Sequence, residues 1–371
     1  MNYLKKLAKC LHVLKYRDKY VHRATYYPDD ERKTDKQILC DLLFIAHKFG
    51  VVEPFYFTYG FDRKEMTRQR MLDEYLMPYR MFQDRISYLN FNNPQYGQFH
   101  GRTLTADKFY FNIFLERFNI PTPKIYLYVK NKRPIYFSDE FTIDHSLPVE
   151  EQLKQFFSHD MDAFAKPSDG QLGNGAFSLK IKDGKPIVDF KETTMENLIS
   201  IILSADYMVQ NCIYQHPKMN ALNPSCINSI RLQTVMDSDG VVHPFAAGLR
   251  IGRNGSSVDN WAKGGVFVGI DMSNGKLMKT GIMKPQYGTA VTEHPDTHMP
   301  FEGFEIPFYS EAVALAIKLH ERLYRCHSVG WDIAITEQGP VFIEGNGWWE
   351  ISLLQAVHGG LKKQIGKYFE V

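Results

Sequence analysis

The segment Gly330–Asn346 constrains the chain more than any other stretch of it. Two apolar runs flank a tight turn at Glu337–Gly339, the pattern of a β-hairpin. Side chains alternate along a strand, so Glu344 and Asn346 share one face. Folding the hairpin about Gln338 places Asp332 directly opposite Glu344, with Cβ atoms about 4.5–5.5 Å apart. Two carboxylates that close repel each other unless a cation sits between them. Carboxylate and amide oxygens are hard ligands, which makes Mg²⁺ the natural cation, shared with the phosphates of a nucleotide. The competing reading is a solvated strand face, with Ile333, Ile335 and Ile343 turned to the core.

Three further segments carry chemistry. A short apolar strand delivers Lys166 into a loop that contains Gly170, Gly173 and Gly175. Glycines let backbone N–H groups approach phosphate oxygens, and the lysine adds a point charge. The order G-x-x-G-x-G is neither the dinucleotide-binding fingerprint nor the Walker A loop, and a plain hairpin turn would also explain it. Tyr207–Ile213 is an apolar strand running into a loop. Such a strand end offers a purine one carbonyl and one N–H, as any strand end does. Arg231 and Arg250 each interrupt a run of apolar strand residues, and Asp259–Gly265 follows. An arginine there is either on a solvated face or a fork for carboxylate or phosphate.

Hairpin signatures at Asp183-Gly184, Asp239-Gly240 and Asn274-Gly275 alternate with helical patterns near 193–204 and 309–326. That alternation predicts α+β lobes, not a doubly wound parallel sheet. Upstream, 35–50 and 62–88 read as helices, and Asn90–Pro94 with Gly97 and Gly101 marks a break. Thr103–Phe118 reads as a helix capped by Thr105 and ended by Pro121 and Pro123. The expected organisation is a mainly helical region over 1–100, a first lobe over 101–215 and a second over 216–371.

The 371 residues, 44% hydrophobic and 23% charged, suit two or three packed lobes. Lys and Arg (44) nearly cancel Asp and Glu (42), so nothing drives the whole chain toward nucleic acid. Five scattered cysteines without a CxxC pair exclude a zinc knuckle or a thioredoxin-type site and read as reduced thiols in a cytoplasmic protein. No apolar run reaches the roughly 18 residues of a membrane span, and no signal peptide is read at the N-terminus. The first 25 residues nevertheless hold seven Lys/Arg against Asp18 alone. Leu4, Leu7, Leu11 and Leu14 recur at the spacing of one helix face. Either these leucines dock on the protein, or the helix rests on an anionic membrane surface.

The order of these segments along residues 103–357 resembles the ATP-grasp superfamily. Ala106–Lys108, with Phe118–Pro123 behind it, resembles its first-lysine segment, and Phe164–Pro167 with the following glycines resembles its second lysine and phosphate-covering loop. Val209–Ile213 resembles its adenine hinge, and Asp332, Glu344 and Asn346 match its metal triad. Ser225–Arg231, Ser257–Trp261, His294–Thr297 and Phe301–Gly303 bring the likeness closest to the sugar-transfer-associated ATP-grasp family. The resemblance implies two α+β lobes with ATP between them. Lys108 and Lys166 would meet the phosphates, covered by Ser168, Asp169, Gly170, Gly173, Asn174 and Gly175. The backbone of Gln210, Cys212 and Ile213 would meet adenine. Asp332, Glu344 and Asn346 would hold Mg²⁺, Arg250 and Asn260 would flank the γ-phosphate, and Arg231 would meet an acceptor carboxylate.

The sequence departs from that pattern twice. The hinge opens with Gln210-Asn211 where Glu is usual, and Gly347-Trp348-Trp349-Glu350 stands where a proline-glycine turn is usual. The two tryptophans either stack on a sugar ring or close the core. The implied activity is a carboxylate–amine ligase acting through an acyl phosphate, in surface or exopolysaccharide biosynthesis. A kinase using Asp259 or Glu350 as base, and a nucleotide-binding module without turnover, are its rivals.

Overall fold

Turn chemistry sets where the chain reverses. A computed structural model describes residues 3–23, 25–92, 102–138, 141–168, 174–256, 258–323 and 326–370. Asp183 and Gly184 take φ of 51° and 71° and join two strands with Lys182 paired to Lys185, the left-handed pair that a two-residue hairpin needs. The other two signatures close longer loops. Asp237 accepts the N–H groups of Asp239 (3.0 Å) and Val241 (2.9 Å), and Asp271 accepts that of Ser273 (2.9 Å). An aspartate before the Gly turn competes for the local backbone donors and widens the reversal.

The described residues form two sheets in which every pairing is antiparallel. The first holds β1 (Ile125–Lys130), β2 (Arg133–Tyr136), β3 (Met161–Pro167), β4 (Phe177–Lys182), β5 (Lys185–Val188), β6 (Lys191–Glu192) and β7 (Tyr207–Asn211), in the order β2-β1-β7-β3-β4-β5-β6. The second holds β8 (Ile230–Met236), β9 (Val242–Ile251), β10 (Val266–Ile270), β11 (Leu277–Ile282), β12 (Ser328–Thr336) and β13 (Gly339–Asn346), in the order β11-β10-β9-β8-β12-β13. The α+β reading therefore holds.

Helices Val149–Phe156 and Met195–Ile202 bury Leu153, Phe156, Leu198 and Ile202 against the first sheet. Helices Lys108–Arg117 and Tyr309–His320 cover one face of the second, with Phe111, Leu115, Ala316 and Leu319. Gly345 in β13 makes room for this: a Cβ there would lie 3.0 Å from both Phe111 and Trp331. The helix that begins at Lys108 is thereby held on the second sheet.

The helix expected over 103–118 is two pieces, Arg102–Ala106 and Lys108–Arg117. The cap is Asp107 and not Thr105: its carboxylate accepts from Phe109 N–H (2.9 Å) and Tyr110 N–H (3.1 Å). The pattern over 62–88 is likewise split, into Arg68–Glu74 and Tyr79–Ser87, because Pro78 cannot donate to a continuing helix. Asp35–Phe49 forms as expected, with a Thr34–Gln37 capping box and left-handed Gly50 at its end.

The N-terminal helices do not build a core of their own. Ile38, Leu42, Ile45, Tyr59, Phe61 and Phe82 join Phe245, Phe267, Trp349, Leu354 and Phe369 in one buried cluster on the other face of the second sheet. The first helix, Tyr3–Lys15, buries Val13 but leaves Leu4, Leu7, Leu11 and Leu14 exposed, so the docked-leucine reading fails. No described helix is long and apolar enough to cross a membrane.

Trp349 sits inside the shared cluster at 1% exposure. Trp349→Ala is expected to cost about 3–5 kcal/mol. Because the core is common, hydrogen exchange should speed up in Asp35–Phe49 as well as in β8 and β9. Loss confined to the second sheet would show that the N-terminal helices fold separately.

Candidate functional site

The hairpin β12–β13 delivers the acidic residues as foreseen, by an unforeseen route. A two-residue turn pairs Thr336 with Gly339 and Ile333 with Phe342, one step off the expected register. A bulge at Ile343 then restores the match, and Asp332 lies opposite Glu344. Ile333 and Ile335 are buried as expected, whereas Ile343 is turned out to line a cleft.

That cleft has a volume of about 900 Å³ and lies between the two sheets. From the first sheet's side it is lined by Phe164 and Lys166 of β3 and by Gln210, Cys212 and Ile213 at the end of β7. Arg231, Arg250, Asn260, Asp332, Glu344 and Asn346 line it from the second, and Lys108 enters at the start of its helix.

Asp332 is buried and takes four side-chain hydrogen bonds, three of them on Oδ2 and one on Oδ1. Arg231 donates to it through Nε (2.7 Å) and Nη2 (3.0 Å), Arg250 through Nη1 (3.0 Å) and Asn346 through Nδ2 (3.4 Å). Burial pushes its carboxyl up from the ordinary range, and Arg250 pulls it back. The cations that relieve the Asp332–Glu344 repulsion are therefore side chains of the same cleft: the two arginines for Asp332, and Lys108, whose Nζ stands 3.5 Å from Glu344. The fork of Arg231, expected on an acceptor carboxylate, is closed on Asp332. Antiparallel pairing explains it, since Arg231 faces Asp332 directly across β8 and β12.

Lys166 is 8% exposed, and burial lowers its ammonium to about 8, opposed by Glu344 and aided by Lys108. Ser168 is buried, and its backbone ties elements together: its N–H donates to Asp206 O (2.9 Å) and its carbonyl accepts from Lys108 N–H (3.1 Å). Asp169, Gly170 and Gly173 lie outside the described residues. Asn174 and Gly175 are exposed and lie outside the cleft wall, and Gly175 O accepts the Tyr207 hydroxyl (2.9 Å). Gln210 is buried with its amide on Pro123 O (3.2 Å). The Cys212 N–H reaches Asp162 O at 3.4 Å, and burial pushes its thiol up to about 11. Asn260 caps the turn Trp261–Lys263 through Ala262 N–H (2.8 Å).

Several contacts and rim positions of the site had no warning in the sequence. Ser229 donates both its N–H and its hydroxyl to Asp259, whose carboxyl burial pushes up and Arg250 pulls back. Phe190 and Tyr214 stand on the rim at 77% and 69% exposure. The adjacent Asp189 and Phe190 both have positive φ (45° and 67°), a turn that the sequence marks with no glycine. The tryptophan pair divides: Trp349 is core, its indole N–H on Ser328 Oγ (3.0 Å), whereas Trp348 is 65% exposed on the cleft.

Four cations (Lys108, Lys166, Arg231, Arg250) and four carboxylates (Asp259, Asp332, Glu344, Glu350) line the described cleft, which balances to zero. Among the described residues no three His, Cys, Asp or Glu side chains gather into a metal site. Asp332 and Glu344 with the Asn346 amide still make a hard-oxygen donor set suited to Mg²⁺ beside phosphate oxygens.

The sequence profile of a family described as sugar-transfer associated ATP-grasp matches residues 85–367. No curated protein matches the chain. Among solved structures it is similar to an L-amino acid ligase from Bacillus licheniformis (10% identity, 83% of this chain and 57% of that one, TM-score 0.38). It is also similar to the D-alanine-D-alanine ligase from Helicobacter pylori (11%, 72% and 58%, 0.38) and to N5-carboxyaminoimidazole ribonucleotide synthetase from Thermotoga maritima (12%, 71% and 48%, 0.35). The chain spans about half the length of these solved proteins.

Lys166 gives the cleft a pH signature. A buried ammonium with a depressed folded pKa binds its proton more weakly than the unfolded chain does. Its penalty is complete below about 8 and fades as pH rises toward the ordinary lysine value. Lys166→Met should raise stability by up to about 3 kcal/mol at pH 7. The gain over the unsubstituted protein should shrink as pH is taken to 10, read from urea melts across the range. A gain that does not change with pH would mean that Lys166 is not a strained ammonium.

Proposed function

The chain belongs to the sugar-transfer associated ATP-grasp family, and on that premise we propose that it is an ATP- and Mg²⁺-dependent ligase. It activates a carboxylate as an acyl phosphate and passes the acyl group to an amine, in surface or exopolysaccharide biosynthesis. The observation that carries this reading is the meeting of Lys108 and Lys166 with Asp332, Glu344 and Asn346 in one cleft. A cleft whose own charges cancel offers a nucleoside triphosphate no net attraction, so binding the polyanion calls for added positive charge. The hard-oxygen set of Asp332, Glu344 and Asn346 suits a divalent cation that supplies it.

In the proposed reaction a carboxylate oxygen of the substrate attacks the γ-phosphorus of ATP. The bond to the β–γ bridging oxygen breaks and ADP leaves. The amine nitrogen then attacks the acyl carbon, inorganic phosphate leaves with the C–O bond electrons, and the nitrogen gives up a proton. Lys108 and Lys166 neutralise phosphate charge, and the low dielectric around the buried Lys166 strengthens that effect. Arg231 is a positioning residue, holding Asp332 in place. Arg250 and Asn260 border the phosphate end. Magnesium, when bound, supplies charge neutralisation and orientation of the phosphates. The rim rings Phe190, Tyr214 and Trp348 suit flat or sugar-like groups.

A kinase is the second reading, supported by Asp259, a half-buried carboxylate beside Arg250. Its commitment to both donors of Ser229 weighs against a free base. Incubation with ATP, Mg²⁺, a panel of carboxylic acids and hydroxylamine separates the readings. Acyl hydroxamate with ADP release supports the ligase, phosphate retained on a hydroxyl acceptor supports the kinase, and nucleotide binding without ADP supports a module without turnover.

Glu344→Gln should raise the Mg²⁺ concentration needed for half-maximal ADP release by about tenfold or more. An unchanged Mg²⁺ dependence would remove Glu344 from the metal set. Trp348→Ala should leave stability within about 0.5 kcal/mol, as for an exposed site. It should raise the KM of the acceptor substrate and not that of ATP. Equal changes in both would place Trp348 at the nucleotide.

A further inference from the structure

The first helix turns its apolar stripe to solvent. Leu7, Leu11 and Leu14 are 45%, 58% and 46% exposed, and Tyr3 beside them is 68% exposed. The helix docks through an adjoining side, with Cys10 at the edge of the stripe and Val13 beyond it. Val13 is fully buried, and the Cys10 thiol points to Leu43 O (3.9 Å) in helix Asp35–Phe49. At 3.6 residues per turn, Leu11 and Val13 lie about 200° apart around the axis. The helix is thus fastened along Cys10 and Val13 and leaves the leucines outward as an apolar ridge on the body of the protein.

Along residues 3–23 the charge is almost all of one sign, and the half-exposed Asp35 of the supporting helix meets only His22 and Arg32. Lys5, Lys15, Arg17, Lys19 and Arg23 are exposed, and the nearby acid, Asp18, pairs with Arg17 at 3.4 Å in full solvent. A pair that exposed neutralises little. A second copy covering the ridge would bring two such cationic rims together, which repel. An anionic surface with an apolar interior satisfies both features at once: leucines enter the acyl boundary while lysines and arginines meet the head groups. With no described helix able to cross a membrane, such attachment lies in the plane of the interface.

We propose that the leucine face of Tyr3–Lys15 is a docking surface for an anionic lipid bilayer. This surface is separate from the cleft and does not depend on the activity assigned to it.

The test is co-sedimentation of the full chain with phosphatidylcholine vesicles, with and without phosphatidylserine. The protein should sediment with the anionic vesicles and stay in solution with the neutral ones. Binding should weaken as salt rises from about 0.1 M to about 0.5 M, as the screening length shortens. Leu7→Ser with Leu11→Ser should lower the partition by at least about tenfold at an unchanged melting temperature. Lys5→Glu with Lys15→Glu should do the same while keeping every leucine, which covers the case of a leucine variant that folds poorly. No sedimentation of the unsubstituted protein, or sedimentation equal for all three proteins, overturns the proposal. So does a dimer in light scattering that the leucine variant abolishes while vesicles bind nothing, for then a second copy covers the ridge.

Discussion

One buried carboxylate sets the terms for the second sheet. Asp332 lies on β12, which is buried at every position, and an uncompensated charge there would cost several kcal/mol. Its partners come from three different strands: Arg231 from β8, Arg250 from β9 and Asn346 from β13. The charge is satisfied only when the order β9-β8-β12-β13 and its register are both correct. A slip of one residue would turn Asp332 to the opposite face and leave it alone. The bulge at Ile343 belongs to the same requirement, because without it Glu344 and Asn346 would be out of step with Asp332.

The cleft follows from how that sheet is tied to the other lobe. Lys108 opens a helix packed on the second sheet, yet its N–H is bonded to Ser168 at the end of β3 and its ammonium reaches Glu344. It thus links both lobes through backbone and side chain. Lys166 comes from β3 and is pressed by the like charge of Lys108 and the attraction of Glu344. Lys166 is buried and Lys108 half-buried, and both stand beside the Asp332–Glu344 pair. The Trp349 side chain, meanwhile, connects this region to the N-terminal helices through their shared core. Those helices act as a buttress for the sheet, with one apolar face turned outward.

Much of this was legible in the residues themselves. Alternation identified the Asp332–Glu344 pair, the long unbranched side chains of 35–50 announced Asp35–Phe49, and Asp183-Gly184 announced its hairpin. Proline and aspartate divided two helices that side-chain composition and end signals had drawn as continuous, at Pro78 and Asp107. The Ser229–Asp259 contact and the rim places of Phe190 and Tyr214 left no trace, because they come from neighbours remote in the chain and not from any local pattern.

What the sequence determined by itself is what acts over a few residues: strand faces, caps, tight turns, and the order of segments that marks the family. What only the tertiary structure decided is how charge and apolar surface are spent. Arg231 and Asp332 are 101 residues apart, and the sequence could name both without showing that one closes its fork on the other. The leucine stripe was plain from spacing, but whether it met protein or solvent depended on which side of the helix Val13 anchored. Coulomb attraction and burial act through space, so their outcome is fixed only once distant strands and helices have been brought together.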